Sequence, residues 1–169
     1  MGFPFYKDCI IIVGQSNKSV KVVTVRKIKR NELNELIALY AHLHKDDSPL
    51  SSPGKLKKIW NEILKDPYLH YFVIKRDSKL VSSCALSIIP NITCGARPYG
   101  LIEHVVTHTN YRRKGFGKAV LKYALNFAWR KNCYKVMLLS GVYRNEAHKL
   151  YETVGFNKKD KVGYVVWHK

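Results

Sequence analysis

The chain has 169 residues, of which 46% are hydrophobic and 25% charged, and 30 basic against 12 acidic side chains give a net charge of +18. This length suits one domain, and the apolar content with only 10 glycines and 6 prolines excludes disordered and fibrous proteins. No apolar run approaches the roughly 20 residues that span a bilayer, so we expect a cytoplasmic protein that neither is secreted nor crosses a membrane. The charge favours polyanionic ligands, among them nucleic acid, phosphorylated cofactors and acidic membranes, without choosing among them.

Hydrophobic periodicity predicts ten elements in the order β-α-α-β-β-β-α-β-α-β, which indicates an α/β (α+β) domain with a mixed sheet. We divide the chain into an N-terminal extension, residues 1–19, and one domain, residues 20–169. The predicted strands are Val20–Ile28, Leu69–Lys75, Lys79–Ile89, Tyr99–Thr107, Tyr134–Ser140 and Val162–Trp167. The predicted helices follow Asn31, start at Lys55, follow Lys114 and start at Asn145.

The cysteines lack the paired spacing of a zinc site or a redox dithiol, so we expect free thiols and no bound metal. They are Cys9, Cys84, Cys94 and Cys133. Nothing in the sequence marks a base beside Cys84 or Cys133. Both are interpreted as core residues rather than nucleophiles.

One segment combines a strand, a basic turn and a helix. Tyr99–Thr107 leads into Arg112-Arg113-Lys114-Gly115-Phe116-Gly117, and no acidic residue occurs from Asn110 to Lys131. The first turn of a helix has unpaired backbone N–H groups with partial positive charge, and glycines let a ligand approach that backbone closely. The segment predicts a phosphate or pyrophosphate site, although two glycines are also compatible with a plain tight turn.

Two common nucleotide-binding motifs do not fit this turn. The Walker pattern GxxxxGK followed by Ser or Thr is absent from the chain. A dinucleotide fingerprint requires a small residue and an acid at the positions of Val120 and Lys135. P-loop and Rossmann-type sites are therefore excluded.

Two motifs in the second half of the chain resemble the GNAT superfamily of acetyl-CoA-dependent N-acetyltransferases. Arg112, Gly115 and Gly117 match the pattern Q/R-x-x-G-x-G/A after a strand, and the residues from Asn145 to Phe156 resemble N-x-x-A-x-x-L/F-Y-x-x-x-G-F. The resemblance extends over roughly Val22 to Trp167. It implies a single domain with a central mixed, mostly antiparallel sheet of six to seven strands, a splayed strand pair and about four flanking helices.

The resemblance also implies roles for individual residues. Backbone groups of Val105 and Val106 would bind the pantetheine of acetyl-CoA, Asn145 would face this cosubstrate, and Tyr151 would lie beside the thioester sulfur. The pyrophosphate would be bound by Arg112, Arg113, Lys114, Gly115, Phe116, Gly117 and Lys118. The alternative for Tyr151 is a buried core aromatic.

The reaction requires an amine to lose a proton and a thiolate to gain one, since an alkyl amine with a pKa of about 10 is mostly protonated at neutral pH. Glu103 is the only acid between Asp77 and Glu146 and is our candidate base, directly or through a water. The alternative is a structural, salt-bridged glutamate. Tyr151 would be the acid for the thiolate, and a bulge near Val105 would present an N–H to the oxyanion. No metal is required.

The predicted acceptor is a primary amine of a small molecule. Asp46 and Asp47 would bind a cationic acceptor, whereas Arg97 would bind a phosphate or carboxylate. The strings Ile102-Glu103-His104-Val105-Val106 and Asn132-Cys133-Tyr134-Lys135 resemble glucosamine-6-phosphate N-acetyltransferases, which suggests amino-sugar phosphates. His104 replaces the acid found there. A histidine as the base is a further alternative.

Two other functions compete with acetyl transfer: a basic nucleic-acid-binding module and a GNAT domain that binds acetyl-CoA without catalysis. Tyr123 and Phe127 fall on the apolar face of their predicted helix, and no nucleic-acid-binding signature occurs, so we expect no nucleic-acid partner and no membrane partner. GNAT domains often pair, and Val162–Trp167 is one candidate interface of a homodimer.

Overall fold

The computed structural model describes residues 9–12, 21–43 and 51–168. The strands are β1 (Cys9–Ile12), β2 (Lys21–Thr24), β3 (Arg26–Lys27), β4 (Leu69–Arg76), β5 (Lys79–Ile89), β6 (Tyr99–Thr107) and β7 (Val136–Leu138). The helices are α1 (Leu33–Tyr40), α2 (Pro53–Lys65), α3 (Phe116–Arg130) and α4 (Asn145–Glu152). Short 3₁₀ turns span Arg30–Glu32 and Thr109–Tyr111.

The central sheet has five strands in the order β3-β4-β5-β6-β7, and β1 pairs with β2 in a separate two-stranded sheet. Neighbouring strands from β3 to β6 are antiparallel, whereas β6 and β7 are parallel. The parallel pair follows from α3, which crosses between the two strands. The predicted α/β fold with a mixed, mostly antiparallel sheet and four helices is confirmed, with five rather than six to seven strands in the central sheet. The division between residues 19 and 20 stays a prediction.

Two predicted strands differ in the structure. Val20–Ile28 divides at Val25, because β2 pairs with β1 while β3 pairs with β4. The prediction of a strand over Val162–Trp167 is wrong, since these residues form exposed coil outside both sheets. Alternating apolar residues form a strand only where they pair with a sheet edge. Here Gly163 approaches Leu139, which follows β7, but no β-ladder forms.

The central sheet separates two apolar layers, as alternation along β4 requires. Phe72 and Ile74 belong to the layer that includes α3 and Tyr151 of α4, whereas Val73 belongs to the layer that includes α1 and α2. The functional residues of β6 are therefore approached from two sides, by α3 and α4 on one face and by α1 on the other.

A buried ion pair attaches the start of α1 to the sheet. Arg26 donates two hydrogen bonds to the Glu32 carboxylate, at 2.6 and 2.8 Å, and the Lys29 backbone N–H donates a third. The hydrogen bond from Arg26 holds the pKa of Glu32 below its usual range. This pairing keeps a buried carboxylate ionised and fixes the direction in which α1 leaves the sheet.

Candidate active site

The strands β6 and β7 separate after three paired residues. Gly100, Leu101 and Ile102 pair with Val136, Met137 and Leu138, and residues 103–107 of β6 continue along β5 alone. Gly100 permits the close approach at the paired end, because a Cβ there would lie 3.1 Å from Cγ2 of Val136. The splayed strand pair is therefore present, and the second half of β6 is unpaired on the side facing β7.

A β-bulge lies in this unpaired half. Ser83 pairs with Val106 and Ala85 with Glu103, so that two residues of β6, His104 and Val105, lie opposite one residue of β5. His104 has a φ of +52°, a left-handed conformation that is rare for any residue except glycine. The bulge predicted near Val105 is found at this position. It breaks the side-chain alternation, because Val105 packs in the same α3 layer as Ile102, three residues earlier, and Val106 is then buried in the α1 layer.

The basic turn between β6 and α3 has the geometry of an anion site. Arg113 and Gly115 both have positive φ, and α3 begins at Phe116 with no acidic residue in its first turn. Gly117 is enclosed, because a Cβ there would lie 3.1 Å from Leu150 of α4 and 3.3 Å from Thr107 of β6. The backbone N–H groups at the start of α3 therefore lie where the ends of β6 and α4 meet.

The cations of this turn divide into two kinds. Arg112 donates to the carbonyl oxygens of Thr107 and His42, and Lys114 donates to that of Asn110. Arg113 and Lys118 are exposed and make no hydrogen bond or ion pair within the described part of the chain. Two cations thus shape the turn, and two are available to an anion.

Tyr151 of α4 is buried in the α3 layer, with its ring against Phe156. Burial raises the pKa of the Tyr151 phenol, the guanidinium of Arg144 and the hydroxyl of Ser140 oppose that increase, and the negative charge of Glu103 adds to it. The phenol is therefore protonated at neutral pH and able to donate.

Glu103 lies immediately before the bulge, and its side chain is exposed. It makes no ion pair within the described ranges, so the structural alternative of a salt-bridged glutamate has no partner there. The negative charge of Glu103 makes a minor contribution to the raised pKa of the Tyr151 phenol. Asn145, the first residue of α4, is exposed.

The face of β6 toward α1 is lined by aromatic and imidazole rings. The ring of His104 lies 5.3 Å from that of Tyr40, and the rings of His42 and His108 are 4.0 Å apart. Partial burial and the charges of His42, Lys79 and Arg112 lower the pKa of His108. The histidines considered as alternative bases are thus gathered beside the end of α1, with His104 next to the bulge.

Arg97, a predicted ligand of the acceptor, lies at the paired end of β6. Arg97 donates to the carbonyl oxygens of Asn132 and Cys133, at 3.2 and 3.1 Å, which attaches its loop to the end of α3 at the paired end of β6. Asp46 and Asp47 lie outside the described residues. The sequence analysis did not identify Tyr40, Ser140 or Arg144 as neighbours of the site. For Ser140 and Arg144, the one signal in the sequence is that they lie five residues and one residue before the motif that begins at Asn145.

The thiols are not reactive groups of this site. Cys84 and Cys133 are free and buried, and burial raises the pKa of each thiol. Within residues 9–12, 21–43 and 51–168 no group of three or more His, Cys, Asp or Glu side chains could hold a metal ion. The same ranges contain no helix long and apolar enough to cross a membrane.

These features agree with comparisons to known proteins. The model of the acetyltransferase (GNAT) family matches residues 35–156. A glucosamine 6-phosphate N-acetyltransferase of Trypanosoma brucei brucei is 29% identical over 138 residues, which cover 81% of this chain and 90% of that protein. The chain therefore belongs to the GNAT family and is an acetyl-CoA-dependent N-acetyltransferase.

Solved structures support the fold. A putative acetyltransferase from Agrobacterium tumefaciens str. C58 superimposes with a TM-score of 0.80 at 35% identity, covering 86% of this chain and 99% of that one. AAC(6')-Iy, whose structure is in complex with the bisubstrate analog CoA-S-monomethyl-acetylneamine, has a TM-score of 0.70 at 16% identity, with 87% and 99% covered. The second likeness concerns the fold alone.

Proposed function

We propose that the chain transfers the acetyl group of acetyl-CoA directly to a primary amine of a small molecule, with Glu103 as base and Tyr151 as acid. The observation that supports this proposal is the position of Glu103, an exposed carboxylate at the residue where β6 loses its pairing with β7. Tyr151 is a buried phenol in the apolar layer that also includes Ile102 of β6. Together they would supply the proton acceptor and the proton donor that acyl transfer to an amine requires.

Acetyl transfer is accompanied by proton transfers to Glu103 and from Tyr151. The ammonium of the acceptor loses a proton to Glu103, directly or through a water that Glu103 orients. The amine nitrogen then attacks the thioester carbonyl carbon, a C–N bond forms, and the C–S bond breaks. The departing thiolate takes the phenolic proton of Tyr151, whose raised pKa keeps that proton available at neutral pH. The nitrogen releases its remaining extra proton to give the neutral amide, and that proton restores the Tyr151 phenol, directly or through water.

The turn from Arg112 to Lys118 is the proposed pyrophosphate site. Its support is the left-handed backbone at Arg113 and Gly115, the unpaired N–H groups of the first turn of α3, and the two cations without partners. The bulge at His104 and Val105 interrupts the β-ladder between β5 and β6, which favours a role of its backbone in binding pantetheine and the oxyanion. Val106, Gly117 and Phe116 are buried, so their part in this site is through backbone atoms.

An amino-sugar phosphate is the proposed acceptor class. The relative from Trypanosoma brucei brucei is a glucosamine 6-phosphate N-acetyltransferase, and the strings around Glu103 and Cys133 are similar to such enzymes. His104 and His42 border the face of β6 toward α1, where the phosphate of the acceptor would meet imidazole groups. A cationic acceptor without a phosphate is less favoured by these neighbours.

Calorimetric titration of acetyl-CoA, followed by an acetylation assay on a panel of amines, tests the proposal. We expect saturable micromolar binding at about physiological ionic strength and turnover of an amino-sugar phosphate in preference to its dephosphorylated form. Binding without turnover of any amine would favour the inactive acetyl-CoA-binding alternative. Absence of acetyl-CoA binding, together with salt-sensitive binding of DNA or RNA, would overturn the assignment.

The Glu103→Gln variant tests the identity of the base. We expect the acidic limb of the pH–rate profile to change, because the amide cannot accept the ammonium proton. Glu62→Gln on α2 is the matched control, since this carboxylate is exposed and remote in the chain from β6. A profile identical to that of the unmodified enzyme would assign the role to a histidine or to water.

A further inference from the structure

Two adjoining clefts lie at the paired end of the sheet, apart from the bulge and the basic turn of the candidate active site. One cleft, which we call the proline cleft, has a volume of about 300 Å³ and is lined mainly by rings. These rings belong to Pro67, Tyr68, Pro90 and Pro98. The other, the lysine cleft, has a volume of about 360 Å³ and includes three lysines, which are Lys27, Lys65 and Lys131. His70 and Lys131 line both clefts, whose volumes are those of small-molecule sites.

The lysine cleft opens where the edge strand β3 stops short of the start of β4. The last contact between the two chain segments is the hydrogen bond from the Ile28 N–H to the Tyr71 carbonyl oxygen, at 3.0 Å. Leu69 and His70 therefore have no partner strand on that side within the described part of the chain. The end of α2 and the residue after α3, Lys131, close the sides of the cleft. The backbone thus forms this space, independently of any one side chain.

Two lysines of this cleft have no acidic partner among the described residues. The ammonium groups of Lys27 and Lys131 lie over the ring of Phe127, at 5.2 and 5.8 Å from its centroid. Neither group makes an ion pair or a hydrogen bond within the described ranges. The one carboxylate in the lining, that of Asp66, already accepts a hydrogen bond from the Tyr68 backbone N–H at 2.7 Å. An anion between the two ammonium groups would offset their mutual repulsion.

The positive charge reaches the residue that both clefts share. His70 is 7% exposed, and its ring lies 4.6 Å from that of Phe127. Burial lowers the pKa of His70, and the charges of Lys27 and Lys131 lower it further. A negatively charged ligand in the clefts would oppose the effect of the two lysines on this imidazole.

The proline cleft is suited to a planar ring. Its prolines have a fixed backbone φ, and Tyr68 is 51% exposed, so that its ring is available for stacking. The loop that contains two of the prolines is attached by Arg97, which donates to the carbonyl oxygens of Asn132 and Cys133. A cleft with fixed walls is preformed, which lowers the entropic cost of binding a ligand.

We propose that the two clefts form one binding site, separate from the active site, for a monophosphate ester that carries a planar ring. The phosphate would lie between Lys27 and Lys131, and the ring would stack on Tyr68. A phosphate carries up to two negative charges and several acceptor oxygens, so it can bind more than one ammonium group at once. The 15 residues of α3 separate Lys131 from the turn at the other end of the helix by about 22 Å, so this ligand and acetyl-CoA can bind together.

Calorimetric titration of adenosine monophosphate (AMP) into the full chain tests the proposal. The protein is first saturated with acetyl-CoA, because acetyl-CoA itself contains an adenine nucleotide and would otherwise leave its own site open to AMP. We expect saturable AMP binding at about physiological ionic strength. Adenosine and inorganic phosphate should each bind at least about tenfold more weakly, because each lacks one of the two recognised groups.

Two lysine variants of equal net charge test the phosphate end of the site. Lys27→Met with Lys131→Met should raise the AMP Kd about tenfold or more, because the side-chain stems remain while both ammonium groups are lost. Lys57→Met with Lys58→Met is the matched control, since these exposed lysines of α2 lie outside both clefts. Its AMP Kd should stay within about twofold of that of the unmodified protein.

The ring end is tested by Tyr68→Ala, with Tyr164→Ala as the control. Both tyrosines are exposed, but Tyr164 does not line either cleft. Tyr68→Ala should weaken AMP binding and leave the weak binding of inorganic phosphate unchanged, whereas Tyr164→Ala should change neither.

NMR spectroscopy locates the bound AMP. In the acetyl-CoA-saturated protein, AMP should shift the backbone amides of Tyr68, Ala96 and Lys131 and leave those of residues 113–118 unchanged. It should also raise the pKa of His70, because the phosphate opposes the charges of the two lysines. No AMP binding at millimolar concentration, equal losses in the two lysine variants, or shifts confined to residues 113–118 would each overturn the proposal. These measurements do not use acetyl transfer, so they stand or fall separately from the proposed reaction.

Discussion

The two ends of β6 share one strand and differ in almost every property. At the first end, Gly100 and Ile102 pair on both sides, with β5 and with β7, and Ile102 is buried. At the second end β7 has separated, His104 is in a left-handed conformation, and Glu103 is exposed. The first end is ordinary close-packed sheet, whereas the second holds strain and polar groups.

The difference shows how the fold supports the candidate site residues of β6. Backbone groups serve a ligand only where the sheet ladder leaves them unpaired, and strained residues persist only where surrounding structure determines them. The paired end provides that support, because it fixes β6 and β7 before they separate. Substitutions at the paired end should therefore lower stability, whereas substitutions at the separated end should lower catalysis or ligand affinity.

Removing the phenolic hydroxyl at the separated end should give the largest effect. For Tyr151→Phe we expect kcat to fall about 100-fold, within the range for loss of a general acid, because the thiolate would leave without a proton. The acetyl-CoA Kd and the melting temperature should be nearly unchanged, since the ring still packs against Phe156. Steady-state kinetics with calorimetry make both measurements.

Tyr123→Phe is the control for that substitution. Tyr123 lies on α3 with its ring against Phe72 of β4, in the same apolar layer as Tyr151. We expect its kcat to stay within about twofold of the unmodified enzyme. If Tyr151→Phe were as active as Tyr123→Phe, Tyr151 would be a packing residue alone.

A larger side chain at the paired end should cost stability instead. In Gly100→Val the new Cβ would lie 3.0 Å from Cδ1 of Leu86 and 3.1 Å from Cγ2 of Val136. Overpacking of this kind costs about 2 kcal/mol of unfolding free energy. Urea unfolding should show that loss while acetyl-CoA affinity at 25 °C stays the same. A large loss of affinity in a folded Gly100→Val protein would contradict the separation of the two ends.

The glycine at the start of α3 tests the cofactor turn. In Gly117→Val the side chain would push against Leu150 and Thr107, which border the proposed pyrophosphate site, so we expect about tenfold weaker acetyl-CoA binding, or about 1.4 kcal/mol. Gly54→Val is the matched control, because Gly54 is also the second residue of a helix but has no atom within 4 Å of its Cβ position. Gly117→Ala serves if the valine variant does not fold. Equal affinity in the Gly117 and Gly54 variants would remove the turn from the site.

The geometry of the turn proposed to bind the cofactor could be predicted from sequence, because its backbone conformation restricts residue type. The residue before α3 has a left-handed backbone conformation, which favours a glycine such as Gly115. The second residue of α3 is enclosed by neighbouring atoms, which leaves room only for a glycine, Gly117. These requirements leave a fixed spacing in the sequence. The bulge was also predicted, although the residue that adopts the left-handed conformation, His104, gives no sequence signal of its own.

The acceptor half follows no such rule. Side chains such as Tyr40, His42 and His108 meet through tertiary packing of α1 on the sheet, and their sequence separation carries no information about that contact. The same reason explains the error at Val162–Trp167. Its apolar pattern is that of a strand, but whether a strand forms depends on an edge that the sequence does not locate.

The smallest expected effect concerns His70, a buried residue of β4 in the same register row as Leu86 and Ile102. Burial, with the charges of Lys27 and Lys131, lowers its pKa to about 4, against a small opposing effect of Asp66. The unfolded chain therefore takes up the proton first, near the ordinary pKa of 6.5, and stability is lost as the pH falls from about 6.5 toward 4. Between pH 7 and pH 5.5 we expect a loss of about 1.2 kcal/mol from this residue.

His70→Leu isolates that contribution, because leucine keeps an apolar contact with Phe72 and Phe127 and does not titrate. Urea unfolding at pH 7 and pH 5.5 should show a smaller loss in the variant than in the unmodified protein, since the carboxylates contribute equally to both. His70 lies at the paired end, so acetyl-CoA affinity at pH 7 should not distinguish the two proteins. An identical pH dependence of stability would mean that the pKa of His70 does not change on folding, and that the paired end is not the dry, neutral region that its packing implies.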